Sequence, residues 1–91
     1  MINQIFLIGK IKEMKNIINN QLKIEVRRNY KNIDGIFEKD CFICNLWIAL
    51  SKKISLSCKE GDLIAIKGRL VDDKGKCSIL AEQVILLNKV G

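Results

Sequence analysis

Histidine and proline are both absent from this 91-residue chain, and aromatic residues make up only 5% of it. The lack of histidine excludes Ser/His and Cys/His catalysis and most zinc hydrolase sites. Without proline, an all-β chain must guard its sheet edges by other means, of which closure into a barrel is one. No apolar run approaches the roughly 18 residues that a spanning helix needs. The opening residues carry neither a basic leader nor a small-residue cleavage site, so they do not read as a signal peptide, and the expected compartment is the cytoplasm. Acidic residues are the scarcer sign, 10 against 16 basic, for a net charge of +6. A 48% hydrophobic share argues against disorder, and the length suits one domain spanning residues 1–91. With no export signal and a normal aliphatic core, the four cysteines read as reduced thiols. The basic excess points toward a polyanion, because Lys and Arg release condensed counterions when they neutralise phosphates. Taken alone that pointer is weak, since heavy use of Ile, Lys and Asn also suits an AT-rich genome.

Hydrophobic alternation predicts strands along most of the chain. From Asn3 to Lys12, Ile5, Leu7, Gly9 and Ile11 take one parity and Phe6 and Ile8 the other, predicting a strand buried on much of both faces with a bulge or bend at Gly9. After the Asn19-Asn20 turn signal, Leu22, Ile24 and Val26 alternate with Lys23, Glu25 and Arg27 as a half-buried strand that runs on to Tyr30. Asp34-Gly35 suits a hairpin loop. A third strand is expected over Cys41 to Ile48, with Phe42, Cys44, Leu46 and Ile48 inward and Cys41, Ile43, Asn45 and Trp47 outward. Leu50, Ile54 and Cys58 predict a short helix from Ala49 to Lys59, with Ser51 as N-cap, Lys59 in the last turn and Gly61 just past the end. The fourth strand is expected to turn Ile64, Ile66 and Leu70 one way and Ala65, Lys67 and Arg69 the other, with a bend at Gly68. Asp72 to Gly75 forms a turn. The last strand, Cys77 to Leu87, groups Ile79, Ala81, Ile85 and Leu87, although Gln83 breaks the pattern. Three strands, a short helix and two strands match the order of a five-stranded Greek-key barrel, the OB-fold.

The same residues resemble the bacterial single-stranded DNA-binding proteins. The run Met1 to Ile11 looks like the family's opening strand. Gly61, Ile64, Ile66, Gly68, Arg69 and Leu70 reproduce its Gly-x-x-(aliphatic)-x-(aliphatic)-x-Gly-(Arg or Gln)-Leu spacing, and Ala81 to Leu87 is similar to its closing strand. The resemblance covers nearly the whole chain. It implies a non-enzymatic protein without cofactor or metal that binds single-stranded DNA with little sequence preference, in replication, recombination or repair. Such proteins stack bases on exposed aromatics while Lys and Arg follow the phosphates. Carried over by position, Trp47 and Tyr30 fall at base-stacking positions. Arg28, Lys31, Lys67 and Arg69 are candidate phosphate contacts, with Lys10 and Lys39 added. A homo-oligomer, tetramer or dimer, is also implied. The chain departs from the pattern at Cys41, where many members carry tryptophan, and in a short Val71 to Lys76 loop without an aromatic, so weaker or shorter-footprint binding is expected. The residues up to Gly91 hold no acidic tail of the kind through which such proteins recruit partners, so a short form without that route is expected.

Each pointer has a plainer reading beside it. Trp47 also suits a barrel-end cap or a subunit interface. The parity of Tyr30 matches the core residues of its strand, and only a bulge or a twist beyond the rim frees it. Phe6, Phe37 and Phe42 read as core. Cys41 and Cys44 lie three apart on a strand and point to opposite faces, so they do not chelate a metal without a turn, and they read as small apolar residues. Two other functions fit: an accessory of the primosomal replication protein B kind, and an OB-fold module for protein contacts without DNA binding.

Overall fold

The computed structural model describes residues 3–87, apart from the side chain of Asp73. Met1, Ile2 and residues 88–91, which the resemblance and the tail expectation include, lie outside them. Five strands, β1 (Ile5–Glu13), β2 (Gln21–Lys31), β3 (Phe37–Leu46), β4 (Leu63–Asp73) and β5 (Lys76–Leu86), close into a barrel in the order β1-β2-β3-β5-β4. All neighbours are antiparallel except β3 and β5, which run parallel. That parallel pairing requires a crossover, and α1 (Ile48–Ser57) supplies it across one barrel end. The architecture is the expected OB-fold barrel with its helix between the third and fourth strands.

Alternation explains the core. Ile11, Leu22, Ile24, Cys44, Leu46, Ile64, Ile66, Ala81 and Val84 point inward, and Ile54 of α1 plugs the end. Burial pushes the Cys44 thiol up to about 11, so it is a protonated apolar filler. Gly9 and Gly68 mark close approaches. A Cβ at Gly9 would run into the Glu25 carbonyl, and one at Gly68 into the Leu80 carbonyl. These two positions let neighbouring backbones come together where the barrel curves.

Several expected details are corrected. The bulge in β1 lies at Lys12, between the Ile11 and Glu13 pairings, while Gly9 pairs in register with Ile64. β1 is buried on one face only: Phe6 is 58% and Ile8 51% exposed, so Phe6 is not core. β3 stops at Leu46, which makes Ile48 the exposed first residue of α1 instead of an inward strand residue. The cap position belongs to Trp47, Ser51 lies within the helix, and Lys59 lies beyond its end. In β5, Gly68 pairs with Ala81 while Lys67 pairs with Gln83, so Glu82 is an extra residue. This bulge inverts the parity after it: Val84 turns inward, and Ile85 and Leu87 turn out. Gln83, which broke the sequence pattern, is the local trace of that bulge. Leu70 is likewise exposed, where β4 and β5 run beyond the barrel into their hairpin.

Candidate nucleic-acid interface

The outer surface of β1, β2 and β3 is a basic sheet. Lys10 lies opposite Glu25, and Arg27 opposite Lys39, so alternation brings these side chains onto one face. Together with Ile8, Gly9 and Leu63 they line an open groove of about 470 Å³. Glu25 is the single carboxylate in it, and two lysines neutralise it: Lys39 Nζ at 3.0 Å and Lys12 Nζ at 3.4 Å. The Lys39 hydrogen bond, with a smaller contribution from Lys12, holds the Glu25 carboxyl below the usual carboxylate range against the opposing effect of burial.

Beyond the barrel rim, β2 and β3 continue as a two-stranded hairpin. Asn32 closes its loop, its Oδ1 accepting the N–H groups of Asp34 and Ile36. Between Arg27, paired with Lys39, and Lys31, paired with Phe37, β2 advances four residues against two on β3. This irregularity and the overrun beyond the rim leave Tyr30 61% exposed. On the outer side, the Arg27 guanidinium sits 4.9 Å and the Lys31 ammonium 5.6 Å from the Phe37 ring centre. Phe37 is therefore part of a cationic surface cluster and not of the core, a further correction. On the other side, Arg28 donates to Asp40 through Nε (3.0 Å) and Nη2 (2.9 Å), and through Nη1 to Glu38 (2.6 Å). The Asp40 carboxyl is held below its ordinary value by Arg28, and the Arg28 guanidinium is pushed up in turn.

Trp47 stands at the opposite end of the ribbon, 54% exposed at the start of α1. It lies roughly 30 Å from Tyr30 along the strands at about 3.3 Å per residue. The two aromatics thus stand at opposite ends of the β2-β3 ribbon, Trp47 at the end of its basic face and Tyr30 beside Arg28 on the other side of the hairpin. Lys67 lies on the next strand round, opposite Phe6 on β1, so the basic surface extends onto β4. Arg69 is farther along β4 and within 4.0 Å of Glu82. Of the expected residues, Lys10, Lys31 and Lys39 share the outer β1-β2-β3 face and Lys67 borders it, while Lys39, Arg28 and Arg69 are engaged by carboxylates. Sequence reading missed Arg27 and Phe37 as members of the cluster. The outward parity of Arg27, shared with Lys23 and Glu25, was the available signal. Among the described residues, no group of three or more His, Cys, Asp or Glu side chains is placed to hold a metal. No described helix is long and apolar enough to cross a membrane.

No family model matches the chain. By sequence it is 36% identical over 77 residues to a protein of Streptococcus pyogenes named single-stranded DNA-binding protein 1, covering 77% of this chain. The chain spans 59% of that relative's length. By fold it matches a small single-stranded DNA-binding protein from Mycoplasma pneumoniae, with TM-score 0.69 at 17% identity over 100% of this chain and 99% of the other. It also matches the Plasmodium falciparum single-stranded DNA-binding protein solved with single-stranded DNA, with TM-score 0.71 at 16% identity over 97% and 96% of the two chains.

Proposed function

Because the chain is a homologue of the single-stranded DNA-binding proteins and shares their OB-fold, we propose that it binds single-stranded DNA with little sequence preference. The observation that carries this reading is the basic outer face of β1 to β3 with the exposed Trp47 at one end and the hairpin that bears the exposed Tyr30 at the other. A strand following the face meets Trp47 at one end and reaches Tyr30 by passing over the hairpin at the other, with Lys10, Arg27, Lys31 and Lys39 beneath its phosphates. Stacking contributes about 1–3 kcal/mol per base and needs no particular base, while the cations contribute a salt-dependent term. Lys67 extends this path onto β4. Arg28 and Arg69 join it only where phosphate displaces their carboxylate partners. The role we assign on this reading is in replication, recombination or repair, in the cytoplasm and without cofactor.

Self-association belongs to this reading. Ile8 on β1, Ala65 on β4 and Ile85 on β5 form one cross-strand row on the outer surface, with Phe6 and Leu87 beside it. Phe6, Ile8, Ile85 and Leu87 are each 45–58% exposed. A contiguous apolar face on a barrel this small suits a second copy of the chain, giving a dimer or tetramer.

The test uses Trp47, the only tryptophan. Its fluorescence is titrated with oligo-dT and with duplex DNA at two salt concentrations. Quenching by the single strand that weakens with salt, by about 0.7 log units per phosphate contact per decade, is the expected result. No change with either nucleic acid, together with a blank gel shift, overturns the reading and leaves the protein-contact module in its place. Retention of a helicase-loading partner only when DNA is present favours the primosomal alternative.

A further inference from the structure

The surface beyond Trp47 does not close. Between the 3-10 turn Ile17–Asn19 and α1 runs an open groove of about 480 Å³, with Ile18 and Asn20 on one side and Ile48 and Lys52 on the other. Ile18 is 86% and Ile48 64% exposed, so both apolar lips stand in water. Ile48, Ser51 and Lys52 follow helical spacing and present one face of α1 to it.

Two independent features point to an occupant. The helix starts without a side-chain cap and with no acidic residue in its first turn. Its first intrahelical bond runs from the Ser51 N–H to the Trp47 carbonyl at 3.0 Å. The amides of Ile48, Ala49 and Leu50 therefore lack intrahelical acceptors and form the positive end of the helix, a geometry that receives anions. Separately, Ser51 lines the groove at 5% exposure, and its Oγ has no hydrogen-bond partner. A buried hydroxyl left unpaired is unusual in a folded chain.

We propose that this groove is a nucleotide subsite. The base lies between Ile18 and Ile48, next to the one stacked on Trp47, and its phosphate meets the first amides of α1 and Lys52. Ser51 Oγ and the Asn20 side chain supply polar contacts to the base edge. The bound strand thus leaves the barrel face at Trp47 and turns over the barrel end along α1. This inference rests on the single-stranded DNA reading and extends its path by a nucleotide.

The experiment records backbone amide spectra of the ¹⁵N-labelled protein during titration with oligo-dT and, separately, with inorganic phosphate. The amides of Ile48, Ala49 and Leu50 are expected to shift at the oligonucleotide concentrations that quench Trp47, and with phosphate only at far higher concentration. Lys52→Glu and Ile18→Asp, both at exposed positions, are each expected to weaken oligo-dT binding roughly five- to tenfold, and Lys52→Glu to reduce the salt slope by about 0.7. Unshifted α1 amides with parent-like affinity in both variants, while Trp47 is still quenched, overturn the subsite and leave the DNA-binding reading standing. Equal response to phosphate and oligonucleotide overturns it in favour of a simple anion site. Absence of any oligonucleotide binding removes the function reading and this inference together.

Discussion

Trp47 owes its exposure to the place where β3 stops. Its parity put it outward, but it is the turn into α1 directly after Leu46 that carries the indole past the barrel wall to the end of the basic ribbon. Gly68 makes the opposite case, a residue whose identity is set by backbone close at hand. Because a Cβ there meets the Leu80 carbonyl, Gly68→Ala must push β4 from β5 beside the Glu82 bulge. The expected cost is about 1–3 kcal/mol. At roughly 4–8 °C per kcal/mol for a domain of this size, thermal unfolding followed by circular dichroism resolves it. An unchanged melting temperature would show that the strands part freely at this point. Gly9, beneath the Glu25 carbonyl, faces the same restriction. Neither constraint was legible as such, since the sequence marks a glycine but not the strand that crosses it.

At the scale of elements, the β2-β3 hairpin divides its charges between two sides. Arg27 and Lys31 cover Phe37 on one, while Asp40 and Glu38 hold Arg28 on the other. Replacing Asp40 with Asn removes the charge of the bidentate partner and leaves the guanidinium beside Tyr30 neutralised by Glu38 alone. Asp40→Asn is therefore expected to tighten single-stranded DNA binding a few-fold at low salt and to steepen its salt dependence, measured by anisotropy of a labelled oligo-dT. Unaltered or weaker binding would place Arg28 outside the DNA path. The pH dependence has a definite sign. The folded pKa of Asp40 is depressed by Arg28, so its contribution to hairpin order is present above the ordinary carboxylate range and is lost as pH falls through that lowered value. Amide exchange in the hairpin should accelerate there in the parent and much less in Asp40→Asn.

For the molecule as a whole, barrel closure solves the edge problem of a proline-free chain, but it leaves a second apolar surface outside the core. Phe6, Ile8, Ile85 and Leu87 come together only because β1, β4 and β5 are neighbours and the Glu82 bulge turns Ile85 outward. If a second copy covers this face, Ile8→Asp should shift the protein to monomer in sedimentation velocity while its circular dichroism stays native, since Ile8 is 51% exposed and outside the core. A parent that sediments as monomer at all concentrations would leave the face unassigned. Association of this kind would set basic ribbons from several copies on one assembly, extending the surface a single strand can follow.

The sequence by itself determined the number and order of the strands, the crossover helix, the turns at Asn19-Asn20, Asp34-Gly35 and Asp72 to Gly75, and the two faces of β2 and β3. These follow from local alternation and local backbone preference, which a single segment carries in full. The tertiary structure decided which apolar residues are not core, where parity inverts, and which cations are free. Phe6 and Phe37 read as core because burial depends on what lies across the sheet: Phe6 stands exposed on the outer face, and Phe37 is covered there by Arg27 and Lys31. Ile85 and Leu87 were grouped with Ile79 and Ala81 because a bulge is a property of a strand pair, visible in one strand only as the misplaced Gln83. Arg28 read as a phosphate contact because its partners Glu38 and Asp40 lie on the returning strand. Alternation records which side of a strand a residue takes, and only the neighbouring strands determine what it meets there.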